Sequence, residues 1–230
     1  MPLVWPSILV PSSEQWFARG LSRSGGQTFS GIEQVVQSPA ARMTATLTVP
    51  CNTDAKVLAM RALLAGLDGR AGTVLVGPME VRRAPWAADP LTGGLLSPAV
   101  ARRNAAINPG WNANGDTAAT LDFRTFGSVA MNAVAMSVQR LRGGILRPGM
   151  YFSIGDRLHV ISALRAADGG GAGVIAIEFR PWTQSTYAAG TVVEFGRPKA
   201  AMRLATDDTG ALDLQLSRFG TVTLDLVEAL

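Results

Sequence analysis

Arg42-Met43-Thr44-Ala45-Thr46-Leu47-Thr48-Val49 alternates strictly, with Met43, Ala45, Leu47 and Val49 on one side and the threonines on the other. Successive side chains of a strand point to opposite faces, so this octet reads as a half-buried antiparallel strand, ended by Pro50. Upstream, Ile32-Glu33-Gln34-Val35-Val36-Gln37 lies between Gly31 and Ser38-Pro39 and is expected to be its hairpin partner. Downstream the period changes. Val57, Met60, Leu63, Leu64 and Leu67 recur at three- and four-residue spacing; Asn52, Thr53 or Asp54 can cap the start, and Gly66 and Asp68-Gly69 close the run. Thr73-Val74-Leu75-Val76 then reads as a strand stopped by Gly77-Pro78. One helix near 53–67 among strands predicts a helix packed on a sheet or bridging its edge.

From Val81 to Asp122 every periodic run is broken by Pro85, Pro90, Gly93-Gly94, Pro98, Pro109-Gly110 and Asn114-Gly115. So long an irregular stretch reads as a junction, with Trp86 and Trp111 as packing anchors. Short strands are expected around Ser128–Ser137 and at Ile145, then on either side of Gly155-Asp156 within Leu146–Ile161. Ala167-Asp168-Gly169-Gly170-Gly171-Ala172-Gly173 reads as a hairpin loop returning into Val174–Phe179, and Thr191–Phe195 follows. Closely spaced short strands describe a small barrel or sandwich. Alternation returns at Met202–Ala205, at Leu212, Leu214 and Leu216, and at Val222, Leu224 and Leu226. These late strands have no helix of their own and are expected to pair with the first sheet, making the small barrel an insertion.

Composition narrows the function. With 47% hydrophobic and 17% charged residues the chain is expected to fold, and no apolar run is long enough to span a bilayer. The start, interrupted by Trp5-Pro6, Pro11 and Ser12-Ser13-Glu14, does not read as a secretory signal, so the chain is expected to be soluble and made in a cytoplasm. The formal charge is +4 and only Lys56 and Lys199 are lysines. Arginine pairs in fixed orientation, so Arg82-Arg83, Arg102-Arg103 and Arg140/Arg142, scattered among acidic residues, read as interface chemistry ahead of a nucleic-acid patch. A single cysteine, Cys51, excludes an internal disulfide and reads as a buried or half-buried small residue. The single histidine, His159, lies between Leu158 and Val160 and reads as a half-exposed strand residue. His-Glu-x-x-His, Gly-x-Ser-x-Gly and phosphate-loop patterns are absent, and Asp207-Asp208 before Thr209-Gly210 reads as a turn. No catalytic residue, metal site or cofactor is expected.

Ser38–Leu47 with the helix Ala59–Gly72, and Leu146–Leu158 with Gly196-Arg197-Pro198 and Met202-Arg203-Leu204-Ala205, resemble proteins of phage and prophage tail modules. The chain is most similar in this respect to the distal tail protein, the baseplate ring subunit of long-tailed phages. The resemblance implies a hexameric ring in the virion, at the tail tip, joined to the tail tube protein and the baseplate hub protein. It implies a β-sandwich belt carrying one helix, a peripheral β domain, and DNA passing through the lumen without specific binding. Head-to-tail interfaces that close by rotation build such a ring, and exposed sheet edges serve them. Acidic surfaces above or below it, or Asp/Glu directed at the lumen, are expected to offset its positive charge.

The expected architecture is therefore mainly β: a β-sandwich belt domain with one α-helix, formed by residues 1–115 with 197–230, and a small inserted β-barrel or sandwich domain at 116–196. Arg82, Arg83, Trp86, Arg102, Arg103 and Trp111 are the expected interface residues. Besides a tail-tip peptidoglycan hydrolase, which the lack of a plausible catalytic site argues against, two other readings compete with the ring. One is a tube, terminator or hub subunit of the same tail. The other is a carbohydrate-binding module using Trp111, Trp182 and Tyr187 as a platform.

Overall fold

The computed structural model describes residues 2–27, 29–79, 84–85, 121–166, 173–211, 213–215 (backbone only) and 219–229. Among the described residues the fold is mainly β, with two sheets and one helix, the second sheet barrel-like. The chain divides into two units, Met1–Val76 with Ala200–Leu230, and Gly77–Lys199. The expected boundary at 115/116 lies outside the described residues.

In the first unit the strands are β1 (Leu3–Val4), β2 (Ser13–Gln27), β3 (Glu33–Cys51) and β4 (Val74–Val76), with α1 (Asp54–Leu67) between β3 and β4. The second unit holds β5 (Asp122–Thr125), β6 (Ala135–Arg142), β7 (Tyr151–Ile154), β8 (Arg157–Leu164), β9 (Gly173–Arg180) and β10 (Val193–Glu194). The chain then returns to the first unit through β11 (Ala200–Leu204), β12 (Asp213–Gln215) and β13 (Phe219–Glu228).

The first sheet runs β1-β4-β11-β13-β3-β2, with β12 paired to β13. The alternation of Met43 to Val49 places its apolar side in register with Val222, Leu224 and Leu226 of β13. All of these side chains are buried, as are Val74, Val76, Met202 and Leu204. The threonines face the other way, where Thr46 Oγ1 donates to Asp225 at 2.7 Å. On α1, Val57, Met60, Leu63 and Leu67 form the buried stripe. Thr53 is the N-cap, its hydroxyl accepting from Lys56 N, and Asp68 ends the helix in the left-handed region at φ 47°.

Two local expectations are corrected. Residues 32–37 are not the hairpin partner of 42–49; both belong to β3, and the partner is β2, which pairs from Ser13↔Thr48 to Gln27↔Glu33. Ser38-Pro39 does not end the strand, because it sits at a register irregularity between Arg19 and Leu21 on β2, where a missing ladder donor is tolerated. The strand expected around Ser128–Ser137 begins only at Ala135, and Asp122–Thr125 supplies another.

The second sheet runs β10-β7-β8-β9-β6-β5. Its two ends meet: Arg124 bridges to Val192, Thr125 N donates to Thr191 O at 2.9 Å, and Gly190 N donates to Thr125 O at 2.8 Å. Thr125 Oγ1 adds a bond to Ala188 O at 2.8 Å, so a buried hydroxyl fastens the closure. The interior is aromatic. Phe123, Phe152, Phe179 and Phe195 are fully buried, with Phe123–Phe195 ring centroids 4.9 Å apart and Phe152–Phe179 5.5 Å apart in edge-on contact. The tight β7–β8 turn places Gly155 at φ 60°, a conformation that costs glycine nothing.

Candidate assembly interface

The first unit leaves a large part of itself uncovered. β13 pairs with β3 only from Thr44 to Cys51, so the N-terminal part of β3 is paired on one side alone, by β2. Glu228, at the end of β13, turns its buried carboxylate back to accept from Met43 N at 3.0 Å, closing the ladder where the shared sheet stops. Beyond that point the β2–β3 pair projects as a two-stranded ribbon. Every described residue from 20 to 37 is exposed, including Leu21, Phe29, Ile32, Val35 and Val36.

An isolated two-stranded ribbon is marginally stable in water, because neither face is buried and its outer backbone groups are unpaired. This one also carries like charges in opposition. Arg19 stands opposite Arg42, both exposed, and Arg23 follows four residues further along β2. Like charges directly opposite on a sheet destabilise the pair unless an outside group offsets them. β2 is the outer strand of the sheet, so a 15-residue edge is open to further pairing.

The six arginines and tryptophans expected at the interface, Arg82, Arg83, Trp86, Arg102, Arg103 and Trp111, all lie outside the described residues. Of the sugar platform, Trp111 does as well. Trp182 is half-buried, with its carbonyl accepting from Arg157 Nε at 3.2 Å, and Tyr187 packs against the barrel core while its backbone pairs with Val129.

His159 is not the half-exposed residue its neighbours suggested. It is fully buried, with its ring stacked on Phe152 at 5.2 Å and edge-on to Phe179 at 5.0 Å. Nδ1 lies 2.9 Å from Pro181 O, which fixes the proton there, and among the described residues Nε2 has no hydrogen-bond partner. Burial drives its pKa down to about 3, aided by repulsion from Arg157 and only partly offset by the Pro181 bond. Such a ring is a neutral core residue at ordinary pH. Cys51 is buried, and burial pushes its thiol up from the usual value. Asp207 Oδ1 accepts from Arg70 N at 2.9 Å, tying the turn after β11 to the end of α1.

Among the described residues, no group of three or more His, Cys, Asp or Glu is placed to hold a metal ion. A cavity of about 20 Å³ by Pro78, Met150, Tyr151 and Pro198 has room for about one water. No helix among the described residues is long and apolar enough to cross a membrane. No family model and no curated protein matches the sequence.

Of the ribbon, the β3 half at 33–37 is legible in the sequence as a strand and the β2 half is not, because alternation marks a strand only where one face is buried. The available signal is a set of apolar residues, Leu21, Phe29, Ile32, Val35 and Val36, in a stretch that also holds the glycines at 20, 25, 26 and 31.

Proposed function

We propose that this chain is a non-enzymatic structural subunit that joins copies of itself into a ring, at the baseplate end of a long-tailed phage tail between tail tube and hub. The projecting β2–β3 ribbon carries this reading: its exposed apolar side chains and open edge call for a partner surface. A heterologous contact, ribbon of one copy on the body of the next, closes into a ring when its rotation permits. The resemblance to distal tail proteins supplies the place in the particle and the hexameric count.

Native mass spectrometry and electron microscopy of the purified chain test this. Closed hexameric rings are expected from the full chain, and monomers from a chain in which 20–41 is replaced by a two-residue turn. A full chain that stays monomeric at every concentration, or a ribbonless chain that still forms rings, would overturn the reading.

A further inference from the structure

The ribbon and the opposite end of the first unit carry opposite charge. From residue 19 to 42 the charged residues are Arg19, Arg23 and Arg42 against Glu33 alone, all exposed. Arg19, Arg23 and Leu21 alternate on one face of β2, and Arg42 stands opposite Arg19. None of the three guanidinium groups has a hydrogen bond or ion pair among the described residues.

β11 runs antiparallel to β13, with Met202 opposite Glu228 and Leu204 opposite Leu226, so it leads away from the end where the ribbon leaves. The turn that follows holds Asp207 and Asp208, both exposed. Arg70 N bonds to Asp207, which brings the end of α1 and its exposed Asp68 to the same corner. Three carboxylates there face one cation, Arg70. The side chains of Asp68 and Asp208 are free among the described residues.

We propose that the ribbon of one copy docks, through Arg19, Arg23 and Arg42, on the Asp68/Asp207/Asp208 corner of a second copy. This deepens the self-assembly reading and rests on it. One patch lies on the β2–β3 ribbon and the other at the turn after β11, so each copy offers one patch and receives the other. A contact between two unlike patches can pass from copy to copy, as a closed ring requires. The apolar residues of the ribbon supply attraction without direction, and the charges select the partner surface and register.

Charge reversal and exchange test it. One variant combines Arg19→Glu with Arg23→Glu. A second combines Asp208→Lys with Asp68→Asn, asparagine being tolerated in the left-handed conformation of that position. Asp207 is left intact because it holds the Arg70 turn. Each variant is expected to weaken assembly by about tenfold or more at low ionic strength, with the loss fading as salt screens the charges. Placing all four substitutions in one chain exchanges the signs of the two patches, and assembly is expected to return. Thermal melts matching the unaltered chain would show that folding is intact. If the unaltered chain assembles and either variant assembles equally well, or the combined variant is no better than the two parents, this contact is wrong while self-assembly stands. If the unaltered chain does not assemble, both fall.

Discussion

The barrel and the open sheet solve the same backbone problem in opposite ways. In the barrel-like unit, Thr125 joins the first strand to the segment before the last, so the two ends of the sheet meet and the aromatic side chains fill the inside. In the other unit, the sheet stops at β2 and the β2–β3 pair runs on past the point where Glu228 closes the ladder. A closed sheet is self-sufficient and presents nothing to extend. An open sheet with a projecting ribbon carries unpaired edge groups and exposed apolar surface of the kind another strand or surface can cover.

The largest effect that can break this contrast comes from the barrel core. Phe152 touches Phe179, Phe195 and His159 and is fully buried. Phe152→Ala is expected to destabilise the barrel by about 3–5 kcal/mol, the usual cost of removing a phenylalanine from a packed interior. Peptide-resolved hydrogen exchange should show β6 to β9 exchanging faster, while the sheet unit is unchanged. Cys51, buried in the sheet unit, gives an independent reading, since its reaction with a thiol reagent needs that unit to open. If Phe152→Ala also accelerates Cys51 labelling, the two cores are not separate.

How far the sequence disclosed this division depends on burial. Wherever a strand has one face in a core, its period was readable: Met43 to Val49, Val222 to Leu226 and Val174 to Phe179 all lie on strands. The helix was readable to within its caps, because its apolar stripe and Thr53 act locally. Three things were not. The ribbon has no buried face, so its pattern is flat and β2 passed unnoticed. β5 needs the far side of the barrel to pair with, a contact between Thr125 and residues near 190 that no local pattern announces. His159 needed knowledge of which face of β8 points inward. Its flanking residues, Leu158 and Val160, are apolar too, so alternation was uninformative there. Of the candidate site, the arginines the sequence singles out, Arg82, Arg83, Arg102 and Arg103, lie outside the described residues, while Arg19, Arg23 and Arg42 of the ribbon carry no local signal that marks them.

The middle-sized prediction concerns acid. His159 is neutral in the folded barrel, with its pKa lowered to about 3, while an unfolded chain would have the ordinary value near 6.5. Between these values the unfolded state binds a proton that the folded state does not, so barrel stability falls as pH drops below about 6.5 and levels off near 3. At pH 4.5 the loss is on the order of 2–3 kcal/mol. The groups packed on the ring are Phe152 from β7, Phe179 from β9 and the Pro181 carbonyl; the charged residue acting on it is Arg157, which opposes protonation. Hydrogen exchange of the barrel peptides at pH values from 7 to 4.5, corrected for intrinsic rates, should show this slope, and His159→Phe should flatten it. An equal slope in the variant would assign the acid sensitivity to other groups.

The smallest effect tests the open sheet from its own side. Thr53 caps α1 by accepting from Lys56 N at a long 3.4 Å, and it is exposed. Losing a cap of this kind typically costs about 1 kcal/mol, and the length and exposure of this bond place Thr53→Ala at or below that figure. The helix covers one face of the sheet with Val57, Met60, Leu63 and Leu67, so weakening its first turn loosens the cover over Cys51, which lies just before it. Cys51 labelling should therefore quicken several-fold, and Thr53→Asp, which keeps an acceptor and adds a favourable charge at the helix start, should reverse the change. The barrel peptides should exchange at their original rates in both variants. A helix cap that altered barrel exchange would show that the sheet unit supports the barrel, which is the dependence that the closed architecture argues against.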